Sequence, residues 1–198
     1  MIDKVKFLIL AAVVLMAACE KDPAGIVGNI SFQVSEHFLD DVHVTAIDFD
    51  SKGRAWIGTF DQGLIRYDGN VQLYNSVHSS FPANVVIWDV IVDREDRVWM
   101  GTSTGLIQFD GNEFTEYTTE NSPLAENVVW SIAVDQSNKL WLALSGSIDN
   151  GYIVKIAGGR WTIYDKQDFG FKPYFFGNLA VDADNNVYAS VEYMLSSL

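Results

Sequence analysis

Four stretches of the chain alternate apolar and polar residues and then break at an aspartate. The apolar pairs are Ile47/Phe49, Val90/Val92, Ile132/Val134 and Leu179/Val181. A period of two marks a strand with one buried face. Asp50, Asp93, Asp135 and Asp182 follow, and an aromatic stands six residues beyond each: Trp56, Trp99, Trp141 and Tyr188. These aromatics are 43, 42 and 47 residues apart. The Asp opens a turn in which its carboxylate accepts backbone N–H groups. Three residues on come Gly53, Asp96, Asn138 and Asn185, the types that best tolerate positive φ. The pattern predicts a short hairpin used four times, with the aromatic on its second strand.

Two more strands follow. Gly58-Thr59 leads to Gly63–Tyr67, and Gly101-Thr102 leads to Gly105–Phe109. Asp68-Gly69-Asn70 and Asp110-Gly111-Asn112 are turn clusters, and fourth strands end at Tyr74, Tyr117 and Tyr164. The units run over 42–75, 85–118, 127–165 and 174–198. One four-stranded sheet cannot bury both of its faces, whereas radial stacking of sheets can. The expected fold is all-β, a β-propeller of about four four-stranded antiparallel blades.

Asn127–Asp135, running on to Leu140-Trp141, resembles the two-component regulator propeller repeat, and so does Val98–Leu106. The resemblance covers roughly residues 42–198. It implies a propeller of the kind often found in the extracytoplasmic part of bacterial sensor kinases. Neither a kinase nor a receiver sequence accompanies it here, so the fold carries over and the signalling does not.

Aligning the fourth copy on the second puts Leu195–Leu198 on the third strand of its blade. Ile30–Val34 is similar to the outer strands Glu113–Tyr117 and Arg160–Tyr164. Two readings stay open: a four-blade ring closed by residues 30–34, or an incomplete propeller.

Ahead of the repeats, Phe7–Ala18 is an unbroken apolar run preceded by Lys4 and Lys6. It is too short for a membrane span of about twenty residues and fits a secretory signal peptide. Leu15-Met16-Ala17-Ala18-Cys19 resembles the bacterial lipobox, which implies cleavage before Cys19 and its lipidation. The expected division is a leader over 1–18, a lipidated Cys and tether over 19–28, and propeller repeats over 29–198. The product is exported and held in the membrane by the lipid on Cys19, in the outer membrane on its periplasmic side or at the cell surface.

A 48% apolar composition excludes a disordered chain. A net charge of −13 argues against nucleic acid as a partner. His37, His43 and His78 do not stand at zinc-ligand spacing, and neither G-x-S-x-G nor a phosphate-binding glycine loop occurs. No catalytic set, metal or cofactor is expected. Asp50, Asp93, Asp135 and Asp182 read as structural turn residues, and Arg54 and Arg97 as their solvated flanks. Trp88 and Trp130, eleven residues before the repeat Trp, are expected on the strand face of Val90/Val92 and Ile132/Val134. They serve either packing between blades or an aromatic platform near the channel mouth, which Tyr174, Phe175 and Phe176 would extend. Asp61 and Gln62, and Asp149 and Asn150, sit in connectors that differ between copies, where binding residues concentrate. The expected function is non-catalytic binding, interaction or sensing of a glycan, peptide or protein. The alternatives are a propeller-type hydrolase or lyase, or a truncated propeller without independent function.

Overall fold

The computed structural model describes residues 5–8, 39, 41–147 and 150–192. Cys19, the candidate closing strand 30–34 and the candidate strand 195–198 lie outside them. β1 (Val5–Leu8) precedes the repeats. Blade 1 is β2 (Val44–Phe49), β3 (Ala55–Thr59), β4 (Leu64–Tyr67) and β5 (Val71–Tyr74). Blade 2 is β6 (Ile87–Val92), β7 (Val98–Thr102), β8 (Leu106–Phe109) and β9 (Phe114–Tyr117). Blade 3 is β10 (Val129–Val134), β11 (Leu140–Ser147), β12 (Asn150–Ala157) and β13 (Arg160–Tyr164). Each is a four-stranded sheet in sequence order, antiparallel throughout.

Blade 4 holds β14 (Phe175–Val181) and β15 (Val187–Glu192). Among the described residues its sheet has three strands, with β1 beside β15 in parallel, Val5 opposite Val187 through Leu8 opposite Ser190. Removal of a leader over 1–18 would take β1 away from this edge. A short helix, α1 (Lys166–Phe169), closed by an Asp165/Asp168 capping box, fills the wider spacing before blade 4.

The turns follow the repeat. Gly53, Asp96, Asn138 and Asn185 all have positive φ, between 58° and 75°. Consecutive blades bury their facing surfaces. Trp56, Leu64 and Tyr74 of blade 1 pack on Ile87, Val90, Val98 and Met100 of blade 2. Trp99 and Leu106 then pack on Val129, Ile132 and Leu142, and Trp141, Ala143 and Ile153 on Phe176, Val187 and Ala189. The blades approach closely at Gly58, Gly101 and Gly151. A Cβ on Gly101 would come within 2.7 Å of the Val129 carbonyl oxygen.

The outward face of blade 1 differs. Val44 and Ile47 are 49% and 54% exposed. Their repeat equivalents Ile87 and Val90 are 0% and 4% exposed, as are Val129 and Ile132. A preceding blade covers those positions in blades 2 and 3, and among the described residues none covers them in blade 1.

Candidate functional site

The inner strands do not alternate cleanly. In β6 the pairing with β7 shifts between Ile87 and Asp89, and in β10 the pairing with β11 shifts between Val129 and Ser131. A β-bulge re-aims the extra residue, and that residue is Trp88 or Trp130. The two tryptophans therefore leave the Val90 and Ile132 face on which simple alternation places them.

Freed from that face, they meet across the blade boundary. Trp88 and Trp130 lie 4.5 Å apart between ring centroids, tilted by 31°. Phe60 packs edge-on against Trp88 at 5.9 Å, and Phe175 against Trp130 at 5.2 Å. One ring from each of the four blades thus forms a continuous ladder. Because the tryptophan rings cover one another, this is a stack exposed at its Phe60 end and half-buried at the other three rings, rather than an open platform. Phe60, at one end, is 47% exposed. The Trp130 indole N–H donates to the Ser145 carbonyl over 3.2 Å. The Trp88 indole N–H is buried and has no partner among the described residues.

Phe60 also borders a cleft of about 400 Å³ between the β3–β4 and β5–β6 loops. Asp61, Gln62, Val77, Phe81 and Asn84 line it too. The Phe60 backbone N–H donates to the His43 carbonyl over 2.9 Å, and Gln62 donates its own N–H to Thr59 Oγ1. The loop that carries Asp61 is therefore pinned at both ends. A larger groove, about 530 Å³, lies between blades 2 and 3. Its Arg97, Trp99 and Asn138 are already bonded within the turns and between blades.

Several sequence candidates fall elsewhere. Phe176 is fully buried in the core between blades 3 and 4, so it cannot face a ligand. Its neighbour Phe175 joins the ladder instead, since β14 carries its own register shift between Phe176 and Leu179. Tyr174 is half-buried and donates its backbone N–H to Glu192, apart from the ladder. Asp149 lies outside the described residues. Asn150 opens β12 opposite Ser147, so the supposed binding loop after Trp141 is largely an extension of β11 and β12. Phe60 is the ladder member that the repeat pattern does not mark. It stands four residues after the repeat Trp, where blades 2 and 3 have Ser103 and Ser145 and blade 4 has Glu192.

The repeat aspartates are turn residues, as expected. Asp93 Oδ1 accepts the N–H groups of Glu95 and Arg97. The flanking arginines are corrected, however. Arg54 Nε and Arg97 Nε each sit 2.6 Å from the Oδ2 of their own turn Asp, which makes them part of the turn rather than solvated bystanders. Among the described residues, no group of three or more His, Cys, Asp or Glu is arranged to hold a metal ion.

No family model and no curated protein matches the chain. Solved structures do. The extracellular domain of the hybrid two component system protein BT3049 from B. thetaiotaomicron aligns with a TM-score of 0.60 and 24% identity, over 74% of this chain and 20% of that one. Virginiamycin B lyase from Staphylococcus aureus aligns with a TM-score of 0.59 and 16% identity, over 76% of this chain and 49% of that one. The chain thus spans a fifth to a half of the length of these neighbours. The fold is that of propeller blades, in agreement with the two-component regulator propeller resemblance.

Proposed function

We propose that this chain is an exported, non-catalytic binding module, anchored through a lipid on Cys19, that recognises a glycan, peptide or protein at the ladder end of its blades. The observation that carries the reading is the ladder Phe60–Trp88–Trp130–Phe175 with an unpaired indole N–H inside it. Buried polar groups are normally satisfied, so the enclosed Trp88 donor, without a partner among the described residues, is suited to a ligand acceptor atom that enters where the ladder opens. The four rings come from four blades, so a ligand across them would also sense the spacing of the blades. Sensing in the manner of a two component extracellular domain is one form of this activity.

The test has two arms. Full chain is screened against glycan and peptide arrays beside Trp88→Phe, which keeps a ring but removes the donor, and Phe60→Ser. Loss of binding in both variants, with melting curves unchanged, supports the ladder as the site. Turnover of an arrayed compound would replace binding with catalysis. For the anchor, Cys19→Ser should move the protein from the membrane fraction to the soluble fraction. Unchanged membrane association would remove the lipid from the proposal.

A further inference from the structure

The position four residues after the repeat aromatic has a structural duty that blade 1 gives up. In blade 2 it is Ser103, whose hydroxyl accepts the Val86 N–H over 3.1 Å. In blade 3 it is Ser145, whose hydroxyl accepts the Phe176 N–H over 3.0 Å. The backbone N–H at this position bonds alike in all three blades: Phe60 to His43, Ser103 to Val86 and Ser145 to Val128. Blade 1 therefore holds the same backbone but replaces a tying hydroxyl with an aromatic ring left 47% exposed. Its loop is also one residue longer, Phe60–Gly63 against Ser103–Gly105, between the flanking strands. The added length carries Asp61.

Asp61 is exposed and accepts no hydrogen bond among the described residues, whereas Asp48, Asp50, Asp89, Asp93 and Asp96 are all engaged in turns or between blades. The cleft beside it has no Lys or Arg in its lining. Its floor includes the buried Phe81, and Val77 stands at its rim 81% exposed. The cleft thus combines one uncommitted carboxylate, one exposed ring and an apolar floor in a chain of net charge −13. An anionic ligand finds no countercharge here. A cation finds both a carboxylate and the face of an aromatic ring.

We propose that this cleft takes a ligand with a cationic group, an ammonium or guanidinium, carried on an apolar body. The charge lies between the Asp61 carboxylate and the Phe60 ring, and the apolar part lies against Phe81 and Val77. This assignment rests on the reading that the ladder end is the binding end, and it names the ligand class for the part of that end formed by blade 1.

Three probes share one apolar body and differ in charge: 2-phenylethylammonium, 2-phenylethanol and phenylacetate. Each is titrated into the full chain, followed by ligand-observed NMR and by the part of the tryptophan fluorescence change that Trp88→Phe removes, since Trp88 contacts Phe60. The ammonium probe is expected to bind about three- to tenfold more tightly than the alcohol, the range that one exposed ion pair and one cation–π contact supply. Phenylacetate should bind more weakly still. Asp61→Asn should erase the preference for the ammonium without moving the melting curve, and Phe60→Ser should weaken it. Equal binding of the three probes, binding of none, or a preference that survives Asp61→Asn would each overturn the assignment. If arrayed glycans or peptides still bind through Trp88 in that case, only the ligand class fails. If Trp88→Phe has no effect on any ligand, it is the ladder reading that fails.

Discussion

Trp99 and Asp93 are joined by a buried hydrogen bond, the indole N–H donating to Asp93 Oδ2 over 2.8 Å. The same bond links Trp56 to Asp50 at 3.0 Å and Trp141 to Asp135 at 3.4 Å. In the fourth copy, where Tyr188 replaces Trp, its hydroxyl donates to Asp182 Oδ2 over 3.0 Å. The six-residue spacing from acid to aromatic is therefore a contact. One carboxylate oxygen gathers the turn amides and the other holds the ring of the next strand, with Arg97 Nε sharing that second oxygen.

Removing the carboxylate should cost more than removing the ring's donor. Asp93→Ala strands two turn amides, an indole N–H and the Arg97 charge, for a loss of about 3 kcal/mol. Trp99→Phe keeps most of the packing and strands one acceptor that still has other donors, for about 1 kcal/mol. Urea unfolding of the two variants checks the order. An Asp93→Ala loss no larger than that of Trp99→Phe would show that the carboxylate does not organise the turn.

The residues at positive φ have a second task, which is to tie blade to blade. Asp96 accepts from the backbone N–H of Ser51 in blade 1 over 2.8 Å. Asn138 accepts in the same way from Arg94 over 2.9 Å, and Asn185 from Gln136 over 2.7 Å. Gly53, at the equivalent place in blade 1, has no side chain to reach back with, and its face is the uncovered one. Asn138→Gly should lose this tie and the exposed bond from Asn138 Nδ2 to Glu95 Oε1, together about 1 kcal/mol. Asn138→Ala should lose the same two bonds and also strain a left-handed residue, for about 1–2 kcal/mol more. Equal melting temperatures for the two variants would count against the backbone half of this account.

The sequence pattern conveys what is local and repeated. The Asp–aromatic spacing, the alternation before it and the left-handed turn residue all survive in the structure, because each is set within one hairpin. What it conceals depends on a neighbouring blade or on a register shift. Asp96, Asn138 and Asn185 read as tolerators of positive φ, and nothing within one copy reveals their grip on the preceding blade. Trp88 and Trp130 were legible as exceptional residues, yet the bulge that turns them onto one another breaks the period from which their direction was argued. The same effect exchanges Phe175 for Phe176. Phe60 was findable by comparing the copies at four residues past the aromatic, where Ser103 and Ser145 mark it as the odd member. Ser145–Asn150 looks like a loop by composition, and pairing with β12 makes most of it strand.

Close approach between blades makes Gly101 sensitive. A Cβ there would lie 2.7 Å from the Val129 carbonyl oxygen and 3.1 Å from a Val129 methyl carbon. The first neighbour is backbone at the start of β10, the inner edge strand of blade 3, where pairing with Leu144 of β11 holds it in place. Gly101→Ala should destabilise by about 1–3 kcal/mol, as overpacking of a tight core does. Gly53→Asn, with nothing within 4 Å of its Cβ position and a φ of 75° that Asn accepts, should be close to neutral. Thermal melts of the two variants give the comparison. A Gly101→Ala melt matching that of Gly53→Asn would mean the blades are more loosely apposed than described.

Acid should act on this fold in two opposite senses. Burial pushes the Asp50 carboxyl up, but the bonds from Trp56, Arg54 and Lys52 outweigh it and hold the group below its ordinary value of 3.8. Its stabilising contribution is therefore complete above the unfolded value and is lost as pH falls through the lower folded one. Asp89 behaves oppositely. Burial raises it above 3.8, against the bonds from the Ile132 amide, the Ser131 hydroxyl and the Val90 amide, and the nearby Asp48 charge adds to the rise. In the window between its unfolded and folded values the native state binds the extra proton, so this group's contribution to stability grows as pH falls. Stability measured by urea unfolding should therefore rise slightly as pH drops towards that window, then fall below about pH 4 as Asp50, Asp96 and Asp182, all held low by their hydrogen bonds, take up protons. Asp89→Asn can still accept from the Ile132 amide but carries no charge. It should be more stable than the parent at pH 7, should lack the slight rise, and should keep the fall. A variant whose profile superimposes on the parent's above pH 4 would show that the cost of burying the Asp89 charge between blades 2 and 3 is not what shapes the curve.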